Sequence, residues 1–170
     1  MSIGVINTTN AGGGYTILNL VSNSFTASSQ LDNNYTIGEN FYCPSVPITI
    51  TALGRYCYSG NTGNHQLGLW TAGGTLLASV TLQTSGLSAG INYTNLATPI
   101  TLSANGNYVV GCLEATASGD TYTHVVSGYI SSSITNSTVI ATYGAGSTLT
   151  MPTTSALIGG TYGVSFQFHF

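Results

Sequence analysis

The stretch Val164-Ser165-Phe166-Gln167-Phe168-His169-Phe170 alternates apolar and polar residues without a break. Successive strand residues point to opposite faces, so this pattern makes one wholly apolar face and one wholly polar face, as a half-buried β-strand requires. The run Leu76 to Leu82 repeats it, with Leu76, Ala78, Val80 and Leu82 expected inward. Ala72-Gly73-Gly74 supplies a hairpin loop that joins this run to Leu67-Gly68-Leu69-Trp70. No window carries a helical period, and turn-forming Gly, Asn, Ser and Pro recur about every eight to twelve residues, the spacing of an all-β sandwich or barrel.

Further strands are expected at 38–43, 48–53, 54–59, 91–96, 107–115, 122–130, 138–143 and 148–151. The run Tyr108 to Leu113 is apolar on both parities, which places it in the centre of a sheet. Two antiparallel sheets packed face to face bury such strands without helices. The expected fold is therefore an all-β, two-sheet antiparallel β-sandwich of jelly-roll type over residues 25–170. Residues 1–24 form an N-terminal arm or a first strand: Ala11-Gly12-Gly13-Gly14 is a flexible stretch, and Thr16 to Val21 is a short apolar run that either adds a strand or docks on a neighbour.

Charge is nearly absent. Arg55 is the single basic residue, there is no lysine, and the four acids are Asp32, Glu39, Glu114 and Asp120. Charged residues make up 3% of the chain, whereas about a quarter is ordinary. Nucleic-acid affinity rests on Lys and Arg displacing counterions, so DNA and RNA are excluded as partners, and anionic lipid with them. No apolar run reaches the roughly 20 residues of a membrane span, and Met1 to Asn10 lacks the features of a secretion signal. A net charge of −3 does little to hold copies apart, which favours self-association. Cys43, Cys57 and Cys112 lie in apolar or aromatic contexts and are expected as reduced, buried hydrophobes. The Asn-x-Ser/Thr sites at Asn7, Asn34, Asn92 and Asn136 arise by chance in so Asn- and Thr-rich a chain.

The run Ile50-Thr51-Ala52-Leu53-Gly54-Arg55 is followed by Gly60-Asn61-Thr62-Gly63-Asn64-His65, Leu67-Gly68-Leu69-Trp70 and Gly74-Thr75-Leu76-Leu77-Ala78. Then come Pro99-Ile100-Thr101-Leu102, Asn107-Tyr108, Glu114 and Gly119-Asp120, with Thr36 to Phe41 upstream and 139–170 downstream. These segments resemble a family of β-sandwich modules, catalogued as a domain of unknown function, found in bacterial surface proteins and phage-encoded proteins. The resemblance covers most of the chain past Phe25. It implies the sandwich fold and no catalytic residue. One departure is Thr121-Tyr122-Thr123-His124, where similar modules carry a more aromatic and acidic run.

Candidate chemistry is sparse. Glu114 and Asp120 could act as general acid and base or as half a calcium site, but the segment offers no acidic repeat, and fixing a loop through backbone amides is the expected role. His65 is in phase with Leu67 and Leu69 and is expected as a buried, neutral core histidine. No paired His or Cys spacing of a zinc site exists, no Gly-x-Ser-x-Gly elbow, and no phosphate loop. No catalytic residue, metal or cofactor is expected.

Arg55 shares the inward parity of Leu53 and Cys57. A carboxylate should pair with it, and Glu114 or Asp120 in that role would make Arg55, Glu114 and Asp120 one structural charge network. The remaining resource is tyrosine. Tyr56, Tyr58, Tyr122 and Tyr129 are expected exposed and are the candidate ligand-binding residues, able to stack on sugars or fill an interface. Trp70 is expected in the core.

The resulting expectation is a non-enzymatic structural protein of a phage virion surface, a capsid decoration or head-fibre type of subunit. It would fold in the host cytoplasm and bind capsid proteins and copies of itself. The alternative is an extracellular carbohydrate-binding or adhesin-type module that recognises host glycans.

Overall fold

A computed structural model describes residues 16, 18–21, 28–31, 33–124, 126–127, 134, 140–158 and 160–170. Its strands are β1 (Leu18–Asn19), β2 (Ser28–Leu31), β3 (Tyr35–Tyr42), β4 (Ile48–Cys57), β5 (Asn64–Thr71), β6 (Leu76–Gln83) and β7 (Gly90–Leu102). They continue with β8 (Asn107–Glu114), β9 (Thr121–His124), β10 (Val126–Ser127), β11 (Ile140–Ala145), β12 (Thr154–Ile158), β13 (Gly160–Thr161) and β14 (Val164–His169). A four-stranded sheet runs β1-β14-β4-β7 and a six-stranded sheet runs β12-β11-β3-β8-β5-β6. Two small pairs, β2-β9 and β10-β13, complete the ladders, and every pairing is antiparallel. This is the expected two-sheet, jelly-roll-like sandwich.

The alternation that defined the strands now defines the core. From the six-stranded sheet come Ile37, Phe41, Leu67, Leu69, Val110 and Cys112; from the other come Ile48, Leu53, Val164, Phe166 and Phe168, all essentially buried. Phe41 meets Phe166 with ring centroids 4.7 Å apart, joining the layers. The expected centre of the sheet is β8, flanked by β3 and β5. All three cysteines are free and buried.

Several details depart from expectation. The two strands expected at 48–53 and 54–59 are one strand, β4, because Gly54 continues it: the Tyr93 ring of β7 lies over that glycine, where a β-carbon would come within 2.5 Å of the ring. Trp70 is buried, yet on the outer face of the six-stranded sheet, folded over Gly68. Residues 148–151 are not a strand. They belong to a strap over that outer face, fixed by Gly146 N donating to the Asn34 carbonyl (2.8 Å), with Pro152 set against Gly111. Proline cannot donate to a ladder, and the strand instead forms after it, as β12.

In the 76–82 run only Leu82 is fully buried, while Leu76 is half exposed, because β6 is an edge strand with a register shift opposite Leu69 and Trp70. Shifts also interrupt β12 opposite Ala141 and Thr142, and β7 opposite Thr51, where Leu96-Ala97-Thr98-Pro99 bows out between the pairs Ala52↔Asn95 and Ile50↔Ile100. Of the 1–24 segment, residues 1–15, 17 and 22–24 lie outside the described residues; Leu18–Asn19 forms the first strand, paired with β14. Of the strand expected at 122–130, residues 125 and 128–130 lie outside them too.

Candidate functional site: a buried charge network at one end of the sandwich

The end of the sandwich reached by β4, the β4–β5 connection, β8 and the loop before β9 gathers most of the charge. On β8, Glu114 shares the parity of Val110 and Cys112 and so points between the sheets. On β5, His65 shares the parity of Leu67 and Leu69. On β4, Arg55 follows Leu53 inward. Three strands from two sheets therefore aim a guanidinium, an imidazole and a carboxylate at one volume.

Arg55 Nη2 lies 3.0 Å from Glu114 Oε2 and donates to the Thr121 carbonyl at 2.8 Å. His65 Nδ1 lies 3.0 Å from the same Glu114 oxygen, and its Nε2 lies 3.0 Å from Asp120 Oδ2. Asp120 collects further donors: Thr62 N to Oδ1 (2.7 Å), and Gly63 N (2.9 Å) and the Thr84 hydroxyl (2.7 Å) to Oδ2. Gly63 is required there, since a β-carbon would come within 2.6 Å of Ser118 Cβ. Asn61 Nδ2 donates to the Thr121 carbonyl beside Arg55 (2.9 Å). The expected pairing of Arg55 with an acid is thus made with Glu114, and His65 carries the chain on to Asp120.

Both imidazole nitrogens face carboxylate oxygens, so both must donate, and only the imidazolium does that. Burial pulls the His65 pKa down, but the bond to Glu114 and the charge of that carboxylate outweigh it and raise the pKa above its ordinary value. The expected neutral core histidine is corrected on this point: it is buried as expected, and charged. Burial pushes Glu114 up, while Arg55 and then His65 more than compensate and hold it below the usual carboxylate range. For Asp120 the bonds from Thr62, Thr84, His65 and Gly63 overcome burial and lower it to about 2. Two cations and two anions close on themselves with no net charge.

His65, Cys112 and Glu114 place donor atoms within 4.8 Å of one another, the geometry in which a metal could be sought. They do not fit one. Both imidazole nitrogens already face acceptors, and the Arg55 guanidinium holds the Glu114 oxygen that a cation would need.

Glu39 stands apart. It lies on β3 between the core residues Ile37 and Phe41 and is fully buried. Its Oε1 accepts from the Thr161 hydroxyl (2.5 Å) and Tyr162 N (2.8 Å), and Oε2 has no hydrogen-bond partner among the described residues. Burial outweighs those bonds and pushes its pKa up to about 8.

Of the tyrosines, Tyr56 and Tyr58 are half-buried on the outward parity of β4 and its extension, rings edge to face with centroids 5.1 Å apart. Tyr122 is corrected: it is buried, packed in the core cluster with Tyr162, because β9 lies against β2 and β4 rather than on the surface. Tyr129 and Asp32 lie outside the described residues.

A family model for a domain of unknown function, DUF4082, matches residues 22–164, a span that contains Glu39 and every residue of the charge network. The chain belongs to the DUF4082 family. The family description names no activity, so for this DUF4082 domain the geometry alone speaks to function. No curated protein matches the chain.

Proposed function

We propose that this DUF4082 domain is a non-enzymatic structural protein displayed on the outer surface of a particle, most concretely a phage virion subunit of the capsid-decoration or head-fibre type, with capsid proteins and copies of itself as partners. The observation that carries this reading is where the charge sits. Four of the five acidic and basic residues are described, Glu39, Arg55, Glu114 and Asp120, and all four are buried. The described surface carries no lysine, arginine or carboxylate side chain and is left to hydroxyls, amides, backbone and scattered apolar and tyrosine side chains. Acid–base or nucleophilic turnover needs a titratable group within reach of substrate, and those four are used up inside the fold. A skin without charged side chains suits association that holds in varied surroundings, because among the described residues no exposed ion pair is there for salt to screen.

The test adds the purified chain to particles that lack it and sediments them at ~0.05 M and ~1 M salt, which differ severalfold in Debye length. Saturable binding of similar strength at both is expected. Absence of binding, or binding abolished by salt, overturns the reading.

A second reading, a carbohydrate-binding or adhesin-type surface module, draws on the Tyr56–Tyr58 pair, whose half-exposed rings could stack on a sugar. Retardation in a glycan-containing gel that is lost in Tyr56→Ala would favour it over the first.

A further inference from the structure

We infer that the turn at 103–106, between β7 and β8, is a site of self-modification: Asn105 deamidates through the Gly106 amide, and the isoaspartate formed there unfastens a clasp between the two sheets. Asn105-Gly106 is the only Asn-Gly pair in the sequence, and the turn needs both residues. Asn105 has φ +58, the left-handed conformation that Asn adopts more readily than most side-chain-bearing residues. A β-carbon at 106 would come within 2.7 Å of the Tyr108 ring. That ring is buried and its hydroxyl accepts from Ser103 N (3.0 Å), so it has little room to yield and glycine is required. The fold thus sets an amide side chain beside a backbone nitrogen that no side chain shields. Asn105 is exposed and its side-chain amide makes no hydrogen bond to the described residues. Gly106 N is held by a single bond to the Ser103 carbonyl, long at 3.3 Å.

Asn34 supplies the contrast. It is exposed with φ +54, but its Oδ1 accepts from Thr116 N (3.0 Å) and Tyr35 follows it. Asn61 and Asn92 are tied as well, through Nδ2 to the Thr121 carbonyl and to the Ser88 and Gly90 carbonyls.

In the reaction the Gly106 nitrogen gives its proton to hydroxide and attacks Asn105 Cγ. A C–N bond forms, the side-chain nitrogen leaves as ammonia, and a succinimide closes. Water then opens the ring at either carbonyl: cleavage of the new bond leaves aspartate, and cleavage of the original peptide bond leaves isoaspartate, with the chain now running through Cγ. The balance is amide plus water to carboxylate plus ammonia, with no oxidant or reductant. Either product places a carboxylate side chain on a described surface that has none. Isoaspartate does more. Asn105 N donates to the Pro44 carbonyl (3.0 Å), and the Gly106 carbonyl accepts from Cys43 N (2.8 Å). These two bonds clasp the β7–β8 crossing to the β3–β4 crossing, each of which passes between the sheets. Isoaspartate inserts one more backbone carbon between the two bonded groups, so their spacing no longer matches Cys43-Pro44; aspartate leaves that spacing as it is.

The test ages the full chain in mildly alkaline buffer without denaturant and follows short chymotryptic digests by mass spectrometry, with an isoaspartyl methyltransferase to label isoaspartate. The peptide with Asn105 should gain one mass unit and accept methyl groups at least tenfold faster than those with Asn34, Asn61 or Asn92. Asn105→Gly, which keeps a residue at ease with positive φ, should give no such product. The aged wild type should also develop a population melting a few degrees below the parent, absent from Asn105→Asp, which has the charge without the added carbon. Conversion at Asn105 no faster than at Asn34, or seen only once the chain is unfolded in urea, overturns the inference. Isoaspartate-rich protein that melts with Asn105→Asp overturns the loss of the clasp.

Discussion

Replacing Glu39 with Gln removes a buried acid while keeping the shape of its side chain and an Oε1 acceptor for Thr161 and Tyr162. The wild-type carboxyl ionises at about 8 in the fold and at an ordinary 4.5 in the unfolded chain. Its folded pKa is raised, and it is an acid, so above 4.5 the unfolded state loses its proton first and stability falls with rising pH until the folded group also ionises near 8. At about 1.4 kcal/mol per tenfold, that gap corresponds to up to about 5 kcal/mol lost across the window, a large share of a typical domain's stability. Urea denaturation of both proteins at about pH 5, 7 and 9 tests it, through the pH dependence that such linkage requires. The wild type should lose several kcal/mol from the lowest pH to the highest, and Glu39→Gln should lose far less, so the variant becomes the more stable protein at the alkaline end. Parallel pH profiles for the two proteins would refute the assignment of a protonated Glu39.

Arg55→Met leaves Glu114 buried without its guanidinium and should cost about 3–5 kcal/mol in urea unfolding, whereas adding Glu114→Gln to it should recover part of that loss. Asp120, held at about 2, contributes stability present above 3.8 and lost only as pH falls through 2, so the wild type should stay folded by circular dichroism at about pH 3, and Asp120→Asn should lower the melting temperature at neutral pH. The raised His65 pKa contributes stability that is full below its ordinary 6.5 and fades as pH climbs through the folded value, so nitrogen chemical shifts of a labelled sample at neutral pH should show an imidazolium. Gly63→Ala pushes a β-carbon into Ser118 and disturbs the amides that hold Asp120, with an expected loss of about 1–3 kcal/mol in thermal melts.

The layers of the fold were legible because alternation is a local property: β14 and β8 stand where their period places them. Edge behaviour was not, since the exposure of Leu76 and the shift in β6 depend on which strand lies alongside. Parity placed Arg55 inward, and its pairing with Glu114 follows from β8 presenting Glu114 on the same side as Cys112. Parity could also have marked Glu39, which falls between Ile37 and Phe41, as a buried acid. The bridge from His65 to Asp120 was out of reach, because it depends on how the loop before β9 folds back over the β4–β5 connection. The burial of Tyr122 is not legible for a similar reason: nothing local says that β9 tucks against the core.

Among the described residues, every open border of these two sheets is irregular. On β6 and β12 the ladder slips, on β7 Pro99 sits in an outward bow, and β1 is two residues long. Many proteins ward off strand-to-strand polymerisation with lysines, which this chain lacks altogether. Here the safeguard is steric, and a steric safeguard does not weaken when counterions are added or protons removed. The borders of the fold therefore offer no long, regular ladder on which a second strand could extend a fibril.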